Sequence, residues 1–230
     1  MRTQLTDTLP LKRPTGTQLF GRMIWIAILT LPWAWWYSTT DITTYWQYGA
    51  PPGQVWYVLS KLFGLYAALL LWLQALCGLL KPTCYEAWLP LWARTRHGIL
   101  GGITTLVVAG HVGSFVTAVS LRKNRFEWPL LLPNVSDFYH ASITVGLTAF
   151  FLLLLAVTAA LLRNKLRLVW RWFHRIVLGV VALGLLHGFL IGTETRDGFY
   201  TLFYGALALS FVAAVTLRWR ASGSGGRLES

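Results

Sequence analysis

Acidic side chains are scarce in this chain: 8 Asp and Glu stand against 20 Lys and Arg, and charged residues of every kind make up only 12%. Too few charges are present to cover a water-exposed surface, which excludes an ordinary soluble domain. Cysteine is scarcer still. Cys77 and Cys84 cannot build a disulfide framework, and no Cys-x-x-Cys points to zinc or an iron–sulfur cluster. What is abundant is apolar and aromatic: 55% hydrophobic residues, 13 Trp and a mean hydropathy of +0.53. Beside such a composition the formal net charge of +12 reads as a membrane topology signal, and no nucleic-acid partner is expected.

A bilayer core of about 30 Å takes about 20 helical residues. Six apolar runs have that length, at about 19–37, 55–80, 97–121, 138–162, 170–191 and 200–217. They predict an all-α integral membrane protein, a six-helix bundle over 19–220, with membrane lipids around it. Residues 1–18 form a polar tail, and the first run lacks a small-residue cleavage site, so it is expected to be retained as a helix. Residues 221–230 turn abruptly to Ser, Gly and charge and resemble an appended linker or tag remnant. Fifteen of the basic residues fall on the side of the termini and the even-numbered connections. Both termini are therefore expected in the cytoplasm, with the chain in the inner (plasma) membrane. Cys77 and Cys84 then lie at the reducing face and are expected as free thiols. The connection 121–137 strains the rule, because Arg122, Lys123 and Arg125 must then lie outside. Unless a span is miscounted, two readings stand for it: contact with an anionic group or acceptor, or an interfacial segment in the headgroups. The aromatic cluster Trp33, Trp35, Trp36, Tyr37, Tyr45, Trp46, Trp56 and Tyr57 is expected to form an interfacial belt.

Four of the five histidines lie in two spans, and ionisable side chains in a span are costly and usually functional. His97 and His111 in the third span are separated by about 21 Å of helical rise and return to within about 40° of one face. His174 and His187 in the fifth rise by about 19.5 Å, but an ideal helix leaves them about 140° apart, so that span must be tilted, locally rewound or approached from different sides, with Gly179 and Gly184 as permissive positions. The two spans run in the same direction, so His97 is level with His174 and His111 with His187. Paired imidazoles across two helices suit the axial positions of low-spin b-type haem, and no Cys-x-x-Cys-His for covalent attachment is present. Zinc is the weaker reading, because each layer lacks an Asp, Glu or Cys to complete four ligands. Arg94, Arg96 and Arg175 border the first layer and Lys61 lies in the second span. Propionate contacts are expected of them, against positive-inside topology for the arginines and snorkelling for Lys61. For Arg122, Lys123 and Arg125 the anionic group would be the outer haem propionates or an anionic acceptor. His140 at the outer end of the fourth span is a candidate acceptor-side ligand or proton shuttle, against a plain surface histidine.

The stretch Leu91-Trp-Ala-Arg-Thr-Arg-His-Gly-Ile-Leu-Gly-Gly followed by His111, and Trp170-Arg-Trp-Phe-His-Arg followed by His187, resemble the ferric reductase-like transmembrane domain. That family includes ferric reductases, NADPH oxidases, six-helix metalloreductases and the haem-binding membrane subunit of methionine sulfoxide reductase. The resemblance spans about 22–220. It implies two stacked haem b groups between the third and fifth helices, held by His97, His111, His174 and His187, and electron flow from the cytoplasm outward. No Gly-rich dinucleotide fingerprint is present, so the electrons are expected from a quinol or a separate cytoplasmic flavin reductase, with quinone or FMN as donor-side cofactors. The acceptor is an extracytoplasmic redox partner or a ferric substrate. The expected function is an oxidoreductase electron-transfer subunit. A self-contained metal or oxygen reductase is the first alternative, and a non-redox haem carrier, sensor or scaffold the second.

Overall fold

The computed structural model describes residues 16–81, 83–196 and 198–224. The N-terminal charges Arg2, Lys12 and Arg13, together with Arg227 and the end of the stretch read as a linker, lie outside these residues. The described chain is helical: α1 (Gly16–Thr39), α2 (Ile42–Tyr48), α3 (Gln54–Leu79), α4 (Leu91–Thr95), α5 (His97–Lys123), α6 (Phe138–Leu161), α7 (Arg163–Leu166), α8 (Val169–Arg175), α9 (Val177–Ile191) and α10 (Gly198–Ser224). Short 3-10 turns cover Cys84–Trp88 and Trp128–Leu131. Six segments are long and apolar enough to cross a membrane: Leu19–Thr39, Gln54–Leu79, His97–Lys123, Phe138–Leu161, Val169–Ile191 and Gly198–Ala221. This is a multi-pass membrane protein, and α10 continues through Ser224 into the stretch read as a linker.

The spans occupy unequal positions. In α3, 61% of the apolar window is buried, against 11–28% in the other five. A helix apolar all round belongs at the centre of a bundle. Accordingly α3 carries the buried run Leu69, Leu70, Leu71, Trp72 and Leu73, and it packs against α1, α5, α9 and α10. The outer helices turn Leu106, Phe189, Leu202, Leu209 and Val212 outward, where lipid replaces protein as the apolar neighbour. The closest packing joins α3 to α5 and α6 to α9, so the bundle contains two tight helix pairs.

Helix ends follow local chemistry. Asn124 adopts a left-handed conformation (φ 50°), which Asn tolerates better than most side chains, and this stops α5. Asp137 caps α6 by accepting from the His140 amide at 2.9 Å. The fifth span is two helices: α8 ends at Arg175, the Ile176 amide donates to the Phe173 carbonyl at 3.1 Å, and α9 begins at Val177. A three-residue bond tightens that turn and adds rotation per residue. This adds about 60° over one turn, part of the rewinding that the 140° mismatch calls for, and it falls at Ile176, before Gly179 and Gly184.

The aromatic cluster divides. Trp33, Tyr37 and Trp56 are exposed as a belt requires. Trp36 is instead a core residue, 8% exposed, with its indole N–H donating to the Val58 carbonyl at 2.8 Å, and Trp35 stacks on fully buried Tyr200. Tyr45 accepts a hydrogen bond from Gln54. The side chain of Trp46 lies outside the described residues.

Candidate functional site

The four span histidines meet as two pairs. The ring centres of His97 and His174 are 6.2 Å apart with planes at 80°, and those of His111 and His187 are 6.2 Å apart at 71°. Near-perpendicular rings at that distance do not stack. Two imidazoles binding one metal ion at about 2.0 Å, each ring centre about 1.2 Å behind its nitrogen, would stand about 6.4 Å apart.

The His111–His187 pair has a defined tautomer. Nδ1 of His111 donates to the Ser60 carbonyl of α3 at 2.7 Å, and Nδ1 of His187 donates to the Ser142 carbonyl of α6 at 2.8 Å. Both protons are committed to backbone oxygen, so both Nε2 atoms carry lone pairs. Two lone pairs cannot hydrogen-bond to each other, so each Nε2 is available to an electrophile or a donor. A backbone carbonyl behind the imidazole is also the usual support of a metal-bound histidine, because it fixes the ring and raises its basicity.

Each ring lies against a glycine one turn beyond the accepting carbonyl. A Cβ on Gly64 would stand 3.1 Å from His111, and one on Gly146 only 2.6 Å from Nδ1 of His187. Ser60 with Gly64 and Ser142 with Gly146 form the same i, i+4 device on two helices. The only trace in the sequence is a Ser-x-x-x-Gly repeated in the second and fourth spans.

Both rings line a cavity of about 220 Å³ whose walls include Tyr57, Leu71, Phe115, Phe150 and Val181. Lys61 and Glu194 line it as well. Lys61 donates to Glu194 at 2.8 Å, and the other carboxylate oxygen accepts from Thr39 at 2.8 Å. Burial works against ionisation of Glu194, but the hydrogen bonds from Lys61 and Thr39 outweigh it and hold the carboxyl below its usual range. Lys61 is thus ion-paired inside the protein, a partner that the span pattern does not reveal, since Glu194 sits in a short connection. The two side chains are 25% and 11% exposed. Removing one charge strands the other, so Lys61→Met or Glu194→Gln should each lower stability by about 1–3 kcal/mol, the buried-pair range reduced for partial exposure. Lys61→Met combined with Glu194→Leu should recover most of that loss, as read by thermal unfolding in nanodiscs.

The remaining candidate residues disperse. Arg94 makes a long ion pair with Glu86 (3.9 Å), and its buried Nε has no hydrogen-bond partner among the described residues. Arg96 is exposed at the α4–α5 break. Arg175 lies over the Trp172 ring at 5.1 Å. His140 is fixed to Asp137 at 2.6 Å, and its backbone amide first and then its ring hold the Asp137 carboxyl low. Arg122 lies over Tyr57 at 4.7 Å, which puts it behind the cavity wall. Lys123 and Arg125 both bind Glu127, at 3.1 and 2.6 Å, and hydrogen bonds from Arg125 first and then Lys123 hold that carboxyl low. The basic connection therefore carries its own counter-charge, with the Glu127 side chain only 6% exposed. Cys77 is buried and Cys84 exposed, both free thiols among the described residues.

Around the histidines no three His, Cys, Asp or Glu side chains converge among the described residues. A metal held there takes two protein ligands per layer. That donor set suits an ion whose other positions are filled by a planar macrocycle and does not suit tetrahedral zinc. No family model, curated protein or solved structure matches this chain.

Proposed function

We propose that the chain is a transmembrane dihaem b-type cytochrome, an oxidoreductase subunit that passes electrons across the membrane. His97 and His174 would be the axial ligands of one haem, and His111 and His187 those of the other. The observation that carries this reading is the committed tautomer of the His111–His187 pair: two backbone-held Nδ1–H groups leave both Nε2 atoms with a free lone pair, on rings whose centres are 6.2 Å apart. Haem bound at such a pair supplies one-electron iron chemistry without covalent attachment.

The chain's own residues have separate tasks in this reading. Ser60 and Ser142 carbonyls orient the ligating rings, and Gly64 and Gly146 let those rings lie close to the helices. The apolar walls contributed by Leu71, Phe115, Phe150 and Val181 keep water from the redox centre. Among the cations proposed for propionates, Arg94 alone combines a buried, unpartnered donor with a place three residues from a ligand. Lys61 would reach a propionate only by exchanging Glu194 for it. The excess of basic residues on one side supports a cytoplasmic His97–His174 layer, with both termini inside and the inner membrane as location. Electrons would enter there from a quinol or a separate flavin reductase and leave from the His111–His187 layer to an extracytoplasmic redox partner or ferric substrate.

The direct test is the absorption spectrum of protein purified from haem-replete cells, oxidised and then reduced with dithionite, with haem quantified as the pyridine complex. Two haem b per chain with sharp reduced bands is the expected result. Protein without haem, or with zinc in its place, overturns the reading.

A further inference from the structure

The two histidine layers differ in the state of their ligating nitrogens. His111 and His187 line the cavity, and neither Nε2 has a hydrogen bond among the described residues, the contacts of both rings being made through Nδ1. In the other layer Gln74 of α3 is involved: its amide nitrogen lies 3.0 Å from His97 Nε2 and 3.0 Å from the His97 carbonyl oxygen. The second contact settles which way the amide faces. If oxygen stood in place of nitrogen, two acceptors would meet at 3.0 Å with no proton between them. The amide is therefore the donor to both, His97 Nε2 is an acceptor, and the imidazole proton sits on Nδ1.

This is no incidental surface contact. Gln74 is the polar residue within the buried Leu69–Leu76 stretch of α3, and Gly101, one turn after His97, leaves room for its amide, since a Cβ there would stand 3.1 Å from the amide nitrogen. The Gln74 carbonyl oxygen and His174 Nδ1 are both buried and without a hydrogen-bond partner among the described residues. One member of this layer thus has its lone pair filled by protein, and the other lacks the second hydrogen bond that orients His111 and His187.

We infer that Gln74 competes with iron for the Nε2 lone pair of His97, so that the His97–His174 layer holds its haem more weakly than the His111–His187 layer does. The inference rests on the four histidines being haem ligands. Gln74 acts through His97 and is a positioning residue. With haem bound, the Gln74 amide would be placed to take the His97 Nε2 lone pair whenever iron did not hold it. The competition is worth about one hydrogen bond, or about two- to tenfold in rate or affinity.

The test uses the haem-loaded protein in nanodiscs mixed with excess apomyoglobin, with haem transfer followed by absorbance. Two phases of equal amplitude are expected. The faster is assigned to the His97–His174 layer by its absence in His174→Ala. Gln74→Leu, of similar size but with no donor, should slow the fast phase by about two- to tenfold and leave the slow phase unchanged. Gln74→Ala should act in the same direction, and it serves in place of Gln74→Leu if that variant does not fold. A general packing role for Gln74 would instead accelerate both phases. Two haems lost in a single phase, or a fast phase that either variant leaves unchanged or accelerates, overturns the inference alone. Protein that carries no haem overturns the reading beneath it as well.

Discussion

His111→Ala and His187→Ala should each remove the same haem, and His97→Ala and His174→Ala should each remove the other, so the pyridine-complex stoichiometry falls from two to one in all four variants. The pairing follows from the ring contacts, each layer drawing one imidazole from α5 and one from the α8–α9 span. On the proposed ligation, loss of one of these histidines is the largest change available to the site, because no third His, Cys, Asp or Glu converges on either layer among the described residues. The two classes of variant should also give distinct reduced spectra, each retaining one set of bands. A result in which the α5 variants resembled each other, while those of the α8–α9 span kept both haems, would refute the pairing.

Gly146→Ala should be nearly as damaging to the His111–His187 layer as loss of a ligand, and Gly64→Ala distinctly milder. A methyl group on residue 146 would sit 2.6 Å from Nδ1, 2.7 Å from Cε1 and 2.9 Å from Cγ of His187, so the ring has to leave the Ser142 carbonyl. At residue 64 the nearest ring atoms of His111 are 3.1 Å away, and a shift of a few tenths of an ångström suffices. We expect Gly146→Ala to retain haem only in the His97–His174 layer. Gly64→Ala should retain both, with a displaced reduction potential for one, because the hydrogen bond that tunes ligand basicity is stretched. Redox titration of the purified variants measures both effects, and equal behaviour of the two would remove the glycines from the account.

These residues also mark where the sequence stops being legible. The six spans can be read directly, since apolar length is all that a bilayer requires, and their predicted ends lie within four residues of the membrane-spanning segments found. The juxtaposition of His97 with His174 and of His111 with His187 follows from spacing and shared direction. The supports of the rings are less accessible. Ser60 and Ser142 contribute main-chain carbonyls, which every residue has, so only the accompanying glycine distinguishes them. Gln74 reads as one polar residue in a leucine-rich helix, and its meaning depends on a neighbour 23 positions away. The same holds for Lys61 and Glu194, 133 positions apart, and for the indole N–H of Trp36, which turns a belt residue into a core one. Pairings between spans set these roles, and a pattern along one span does not carry them.

The break at Ile176 has a consequence for how the chain tolerates changes in length. The second span of each tight helix pair carries two imidazoles whose rotational phase must suit a partner on the other pair, and every residue adds about 100° of turn and 1.5 Å of rise. One residue inserted between His97 and His111, or between His174 and His187, would swing one imidazole out of its layer while leaving the other in place. The turn at Ile176 already uses such an adjustment, which leaves little room for a second. A residue inserted in the connection 124–137 adds slack before α6 and rotates none of the four rings. Drift in chain length should therefore collect in the connections, while the number of residues between the histidines of each span stays constant.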